Sequence, residues 1–138
     1  MRYTKEEDLS GNVTIHVCAK PGEKISGKVN IPAEVAMGDM AYTVTVIDAN
    51  AFADQTELTY VTLPKTITNI GNKAFAGCTA LKGMKFKAKI APEAAEDAWK
   101  GAGTEDFTIL TPKNARDYYN IEKISGATVR PETDAEHE

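Results

Sequence analysis

The 138 residues suffice for one domain with a real core and fall short of two ordinary domains. Hydrophobic residues make up 42% and charged residues 26%, a globular balance that argues against wholesale disorder. Of 16 basic and 20 acidic residues, four acids (Glu132, Asp134, Glu136, Glu138) sit in the segment 131–138, so the remaining body is neutral and lacks the basic excess that nucleic acid binding demands.

Segment 12–18 alternates, with Val13, Ile15 and Val17 on one face and Thr14, His16 and Cys18 on the other, which predicts a strand. Pro21-Gly22 marks a turn, 25–31 a second strand, Gly38-Asp39 another turn, and 42–47 a third strand. A repeat then takes over. The segments 46–64 and 69–87 superimpose at an offset of 23: Ile47/Ile70, Ala51/Ala74, Phe52/Phe75, Leu58/Leu81, Val61/Met84 and Leu63/Phe86, with Ile67/Ile90 continuing the match just beyond them. Within a unit, Val61 and Leu63 share one face of a short strand. Pro64 ends it because proline cannot donate to a ladder in mid-sheet, and the Ala-Phe step is a tight turn that drives Phe52 or Phe75 inward.

The pattern fades at both ends, as terminal repeats do. Upstream, Val29-x-Ile31-Pro32 copies Val61-x-Leu63-Pro64. Downstream, Ala98-Trp99 copies Ala74-Phe75 with one extra residue, and Ile109-x-Thr111 copies Met84-x-Phe86 at an offset of 25. Asn114 is placed to N-cap a short helix through Asn120. The acidic segment 131–138 reads as a disordered tail. The division is a single repeat domain over 1–130, with a β-rich cap at 12–45, clear repeats at 46–90 and a degenerate last repeat at 91–120.

The run Leu58-T-Y-Val61-T-Leu63-Pro64-K-T-Ile67-T-N-Ile70-Gly71-N-K-Ala74-Phe75-A-G-Cys78 resembles the BspA-like class of leucine-rich repeats. The first clear unit departs from it by Asp48 where the second has Gly71, and by Thr56, read as standing near Gln55 for the cysteine; Lys87 takes the place of the proline. The resemblance implies an α+β repeat solenoid: a short right-handed coil with a parallel strand ladder, a β-rich N-terminal cap and a short C-terminal helix. It also implies a non-enzymatic, bacterial cell-surface or extracellular module for protein–protein contact and adhesion. It brings no catalytic residue, cofactor or metal.

The chemistry-bearing residues are few. Cys78 falls where the repeat expects a small buried residue, and Cys18 is expected on the surface face of its strand beside His16. That pair offers two ligands where zinc takes four, or three and a water. The serines (Ser10, Ser26, Ser125) carry no nucleophile signature. The carboxylates at Glu6-Glu7-Asp8, Glu93/Glu96/Asp97 and Glu105-Asp106 read as solvated faces, and Gly101-Ala-Gly103 as a loop. Asn12-Val-Thr14 is a glycosylation sequon. No apolar run is long enough for a membrane-spanning helix, and no signal peptide pattern is present.

The surface of interest is the strand face opposite the core, expected to be concave. Lys28, Asn30, Tyr60, Thr62, Lys82 and Lys85 form its candidate contact row, Tyr60 being the anchor, and Lys87 and Lys89 lie close by in the sequence. The expected partner is a protein, host or matrix, with neither nucleic acid nor a membrane span involved. The alternative is a structural spacer within a larger surface protein, with no ligand of its own.

Overall fold

In a computed structural model the chain is described over residues 1–132, apart from Asp8, Asn12 and Pro21. The elements in order are β1 (Arg2–Glu7), β2 (Val13–Cys18), β3 (Ser26–Asn30), β4 (Glu34–Met37), β5 (Met40–Ile47), β6 (Glu57–Leu63), β7 (Asn69–Ile70), β8 (Gly83–Phe86), β9 (Glu93–Ala94), β10 (Thr108–Thr111), α1 (Tyr119–Ser125) and β11 (Thr128–Pro131). They form two sheets. One has the order β11-β10-β8-β6-β3, all parallel. The other runs β1-β2-β5-β7-β9, parallel except for β1 on β2, with β4 folded back antiparallel on β5.

The sequence offsets become strand registers. Val61 pairs with Met84 and Leu63 with Phe86, 23 residues apart. Val29 pairs with Val61, Met84 with Ile109 at 25, and Ile70 with Ala94 at 24, each matching the spacing read between degenerate copies. This is a leucine-rich-repeat fold in which each unit contributes one strand to each sheet and the apolar residues of both fill the space between.

The Ala-Phe turns form a third ladder. Phe52 N–H donates to Ala74 O and Phe75 N–H to Ala98 O, both at 2.7 Å. The rings then stack: Phe52 on Phe75 at 5.5 Å and 9°, Phe75 on Trp99 at 5.9 Å and 14°. Each turn needs left-handed backbone, found at Asn50 and Lys73 and again at Asp54, Gly77 and Gly101. Gly71 has a different constraint: a Cβ there would lie 2.6 Å from Ala49 N, so the residue is a glycine because two backbones meet.

Several expectations are corrected. The helix is Tyr119–Ser125, ending at a left-handed Gly126, and Asn114 sits in the turn before it. The cause is the ladder: Arg116 N–H donates to Lys89 O and Ala91 N–H to Arg116 O, so this segment pairs with the preceding unit instead of coiling. Cys18 is buried, because the chain leaves the strand alternation at Ala19, whose N–H bonds Ala51 O at 2.8 Å. Val13, expected inside, is 38% exposed, and Ile90, matched in the repeat to the buried Ile67, is 55% exposed. The residue standing for Cys78 in the first unit is Gln55, not Thr56. Its amide accepts from Ile25 N–H and donates to Glu23 O, both at 2.8 Å, satisfying backbone of the cap. Strand β11 includes Pro131 and Glu132 is buried, so a tail can begin only after Glu132; residues 133–138 lie outside the described chain, as does Asn12 of the sequon.

Candidate binding face and relatives

The parallel strands β3, β6, β8, β10 and β11 turn alternate side chains to the core and to the outer face. Strand register aligns the outer ones in two rows. One runs Lys28, Tyr60, Gly83, Thr108, Thr128; the other runs Asn30, Thr62, Lys85, Leu110, Arg130. All six candidate residues, Lys28, Asn30, Tyr60, Thr62, Lys82 and Lys85, line one open groove of about 920 Å³ on this face. Lys87 joins them, whereas Lys89 opens onto a different depression with Ile67 and Pro92.

Sequence reasoning missed two cations in the groove, Lys65 and Arg130. Lys65 follows the strand-ending Pro64 and so escapes the alternation. Arg130 belongs to a strand outside the repeat spacing. With Lys28, Lys82, Lys85 and Lys87 they make six positive side chains along the groove, and none of its lining residues is an acid. The overall charge of -4 therefore conceals a basic face.

Two details shape this face. Gly83 leaves room for the Tyr60 ring to lie across the sheet: a Cβ on Gly83 would come within 2.7 Å of Tyr60 Cε2. At the β11 edge, Glu132 N–H donates to Thr111 O at 2.8 Å, and its buried carboxylate lies 3.2 Å from Lys85 Nζ. Lys85 is thus held in place by a carboxylate.

The other candidate chemistry disperses. Cys18 and Cys78 are both free thiols inside the core. Cys78 Sγ donates to Phe52 O at 3.0 Å, and burial pushes its thiol up to about 11, far from thiolate reactivity at neutral pH. Asp97 accepts from Lys73 N–H at 3.2 Å, tying one turn to the next. Ser125 accepts from Ala127 N–H at 3.1 Å beyond the end of α1. His16 faces Asp48 and Glu6, not the buried Cys18.

Residues 39–123 match the BspA type leucine rich repeat region, in six copies. The chain belongs to this family. No curated protein matched the sequence. Among solved structures, a leucine-rich repeat protein from Bacteroides capillosus is similar over 95% of this chain and 94% of its own, at 27% identity and a TM-score of 0.56. A leucine rich cell surface protein from Faecalibacterium prausnitzii is similar over 78% of this chain, at 25% identity and a TM-score of 0.50. The present chain aligns with only 28% of the length of that cell surface protein. Among the described residues, no helix is long and apolar enough to cross a membrane.

Proposed function

We propose that this leucine-rich-repeat domain is a non-catalytic binding module that takes a protein partner on the outer face of its five-stranded sheet, the concave side of a short right-handed solenoid. Residues 1–130 act as one unit in this reading, working at the bacterial cell surface or outside the cell. The likeness to a cell surface protein supports that location. The observation that carries the binding role is the groove itself: six cations, of which Lys85 is paired with Glu132, and a flat-lying tyrosine brought onto one surface from four strands and the turns beside them. Its charge suits an acidic partner and makes the on-rate salt-sensitive. Tyr60 supplies a rigid contact with little rotamer entropy to lose.

The test is a binding screen of the chain against extracellular matrix and cell-surface proteins. Tyr60→Ala is expected to weaken the interaction found by at least about fivefold, a hot-spot loss of about 1 kcal/mol, while the far-UV spectrum and Tm stay near wild type. Binding that is lost only when the back sheet is altered would overturn the assignment. A chain that binds none of the panel would instead be a spacer.

A further inference from the structure

On the second sheet, away from the groove, three side chains from separate segments converge. Glu6 comes from β1, His16 from β2, and Asp48 follows β5. Asp48 Oδ1 lies 2.7 Å and Glu6 Oε2 3.2 Å from the same atom, His16 Nδ1, and all three ligand atoms fall within 4.8 Å of one another. Donors held at about 2.1 Å around one zinc ion in tetrahedral geometry sit about 3.4 Å apart. Both carboxylate oxygens already lie at or inside that distance from Nδ1, and the two of them lie within 4.8 Å of each other, a spread that a small side-chain adjustment closes. The imidazole is braced from behind, with Nε2 3.0 Å from Thr14 Oγ1. In the tautomer that donates from Nε2 to this hydroxyl, the Nδ1 lone pair points at two carboxylate oxygens. That tautomer places three electron-rich atoms together and favours a positive centre among them; the other neutral tautomer donates from Nδ1 to Asp48 and accepts from the Thr14 hydroxyl at Nε2. A proton on Nδ1 makes one good hydrogen bond, to Asp48, and leaves Glu6 with a longer one. A divalent cation satisfies all three donors and cancels the two carboxylate charges. Lys5, next along β1, turns to the ring and hydroxyl of Tyr42.

The position of Asp48 adds a second reason. In the following unit the equivalent residue is Gly71, packed against Ala49 backbone where no side chain fits. The first unit has β2 beside it instead, and a side chain of metal-ligating type fills the relaxed position. His16 is 16% exposed and Asp48 34%, while Glu6 is more open at 57%, so the site has an entry path and room for water ligands.

We propose that Glu6 Oε2, His16 Nδ1 and Asp48 Oδ1 form a site for a divalent transition-metal ion of the zinc class, which staples the edge strand β1 to the first repeat. One imidazole and two carboxylates, completed by water, suit zinc or cobalt, and the nitrogen donor disfavours calcium. The site is independent of the groove and of any partner there.

The experiment uses the full chain, stripped with a chelator and titrated calorimetrically with zinc chloride, with Tm measured at each point. One zinc per chain and a rise in Tm are expected, with calcium at least tenfold weaker. His16→Gln and Asp48→Asn should each weaken zinc binding at least tenfold and remove the zinc-dependent rise in Tm, while His137→Gln leaves both intact. Cobalt supplies a readout separate from stability: a d–d spectrum without thiolate charge transfer places the ion on nitrogen and oxygen ligands rather than on Cys18. No zinc-dependent change in wild type, or a change that survives His16→Gln, would overturn the proposal and leave the triad as an ion-pair clamp only.

Discussion

Lys85 and Lys82 are three residues apart and line the same groove, yet they do different work. Lys82 is exposed, whereas Lys85 sits among the strands with the buried Glu132 carboxylate beside it. Truncating Lys85 to Ala strips a charged partner from a desolvated carboxylate and should cost about 1.5–3 kcal/mol; Lys82→Ala should leave urea midpoints within about 0.5 kcal/mol of wild type. Equal small effects in denaturant unfolding would show that the Glu132 contact adds nothing. Lys82 is therefore the cleaner probe of binding. The thiols give a second residue-level expectation. Cys18 and Cys78 are 7% and 0% exposed, so both should label slowly with a thiol reagent in native buffer and quickly in denaturant. Fast native labelling of Cys18 would restore the surface position that strand alternation alone assigns to it.

The repeat unit works as an element because three kinds of ladder coincide: a strand in each sheet and an aromatic turn. Phe75 belongs to the turn, stacked between Phe52 and Trp99 and fully buried. Replacing it with Ala removes both stacking faces and opens a cavity, at a cost of about 3–5 kcal/mol. A Phe75→Ala protein that melts with the wild type would refute the stacked turns. Gly71→Ala probes backbone approach instead of burial. The added methyl meets Ala49 main chain, which cannot swing aside as a side chain can, so a loss of about 1–3 kcal/mol is expected in chemical denaturation.

At the scale of the molecule, the ends decide how the stack is closed. At one end β2, with β1 outside it, and β4 flank β5 and cover the first repeat, and the Gln55 amide ties the 23–25 loop to it. At the other, Tyr118 seals the last repeat: its ring meets Phe86 edge-on at 5.5 Å and its hydroxyl donates to Ala88 O at 2.6 Å. Burial raises both the Tyr118 phenol and the Cys78 thiol, the latter from 9.0 to about 11. A raised acid of this kind holds its proton more tightly when folded. Its contribution is complete below the unfolded value and is lost as the pH climbs toward the folded one. Thermal melts should therefore show falling Tm from about pH 9 upward, and the fall should be smaller in Cys78→Ala and in Tyr118→Phe. An alkaline limb of unchanged depth in both variants would refute this origin.

The repeat was legible in the sequence because an offset of 23 is also a strand register: the chain must return to the same point in the next layer to pair Val61 with Met84. Local pattern was enough to place the Phe52 and Phe75 turns, the stop at Pro64 and the outward row of Lys28, Tyr60, Thr62 and Lys85. It was not enough where partners come from far away. Strand β1 has little apolar alternation of its own and is held by pairing with β2. Strand β11 and Arg130 enter the groove because β10 offers them an edge. Asn114 has the chemistry of a helix cap, but Arg116 finds its hydrogen bonds in the preceding repeat, and pairing there outweighs the local preference. Strand alternation puts Cys18 outside, but it is buried beside Val17 at the end of β2, where a backbone bond from Ala19 ties the chain to the first repeat. Sequence determined what each unit repeats; contacts between units decided how the ends close and which charges meet, because those energies depend on groups that spacing along the chain does not bring together.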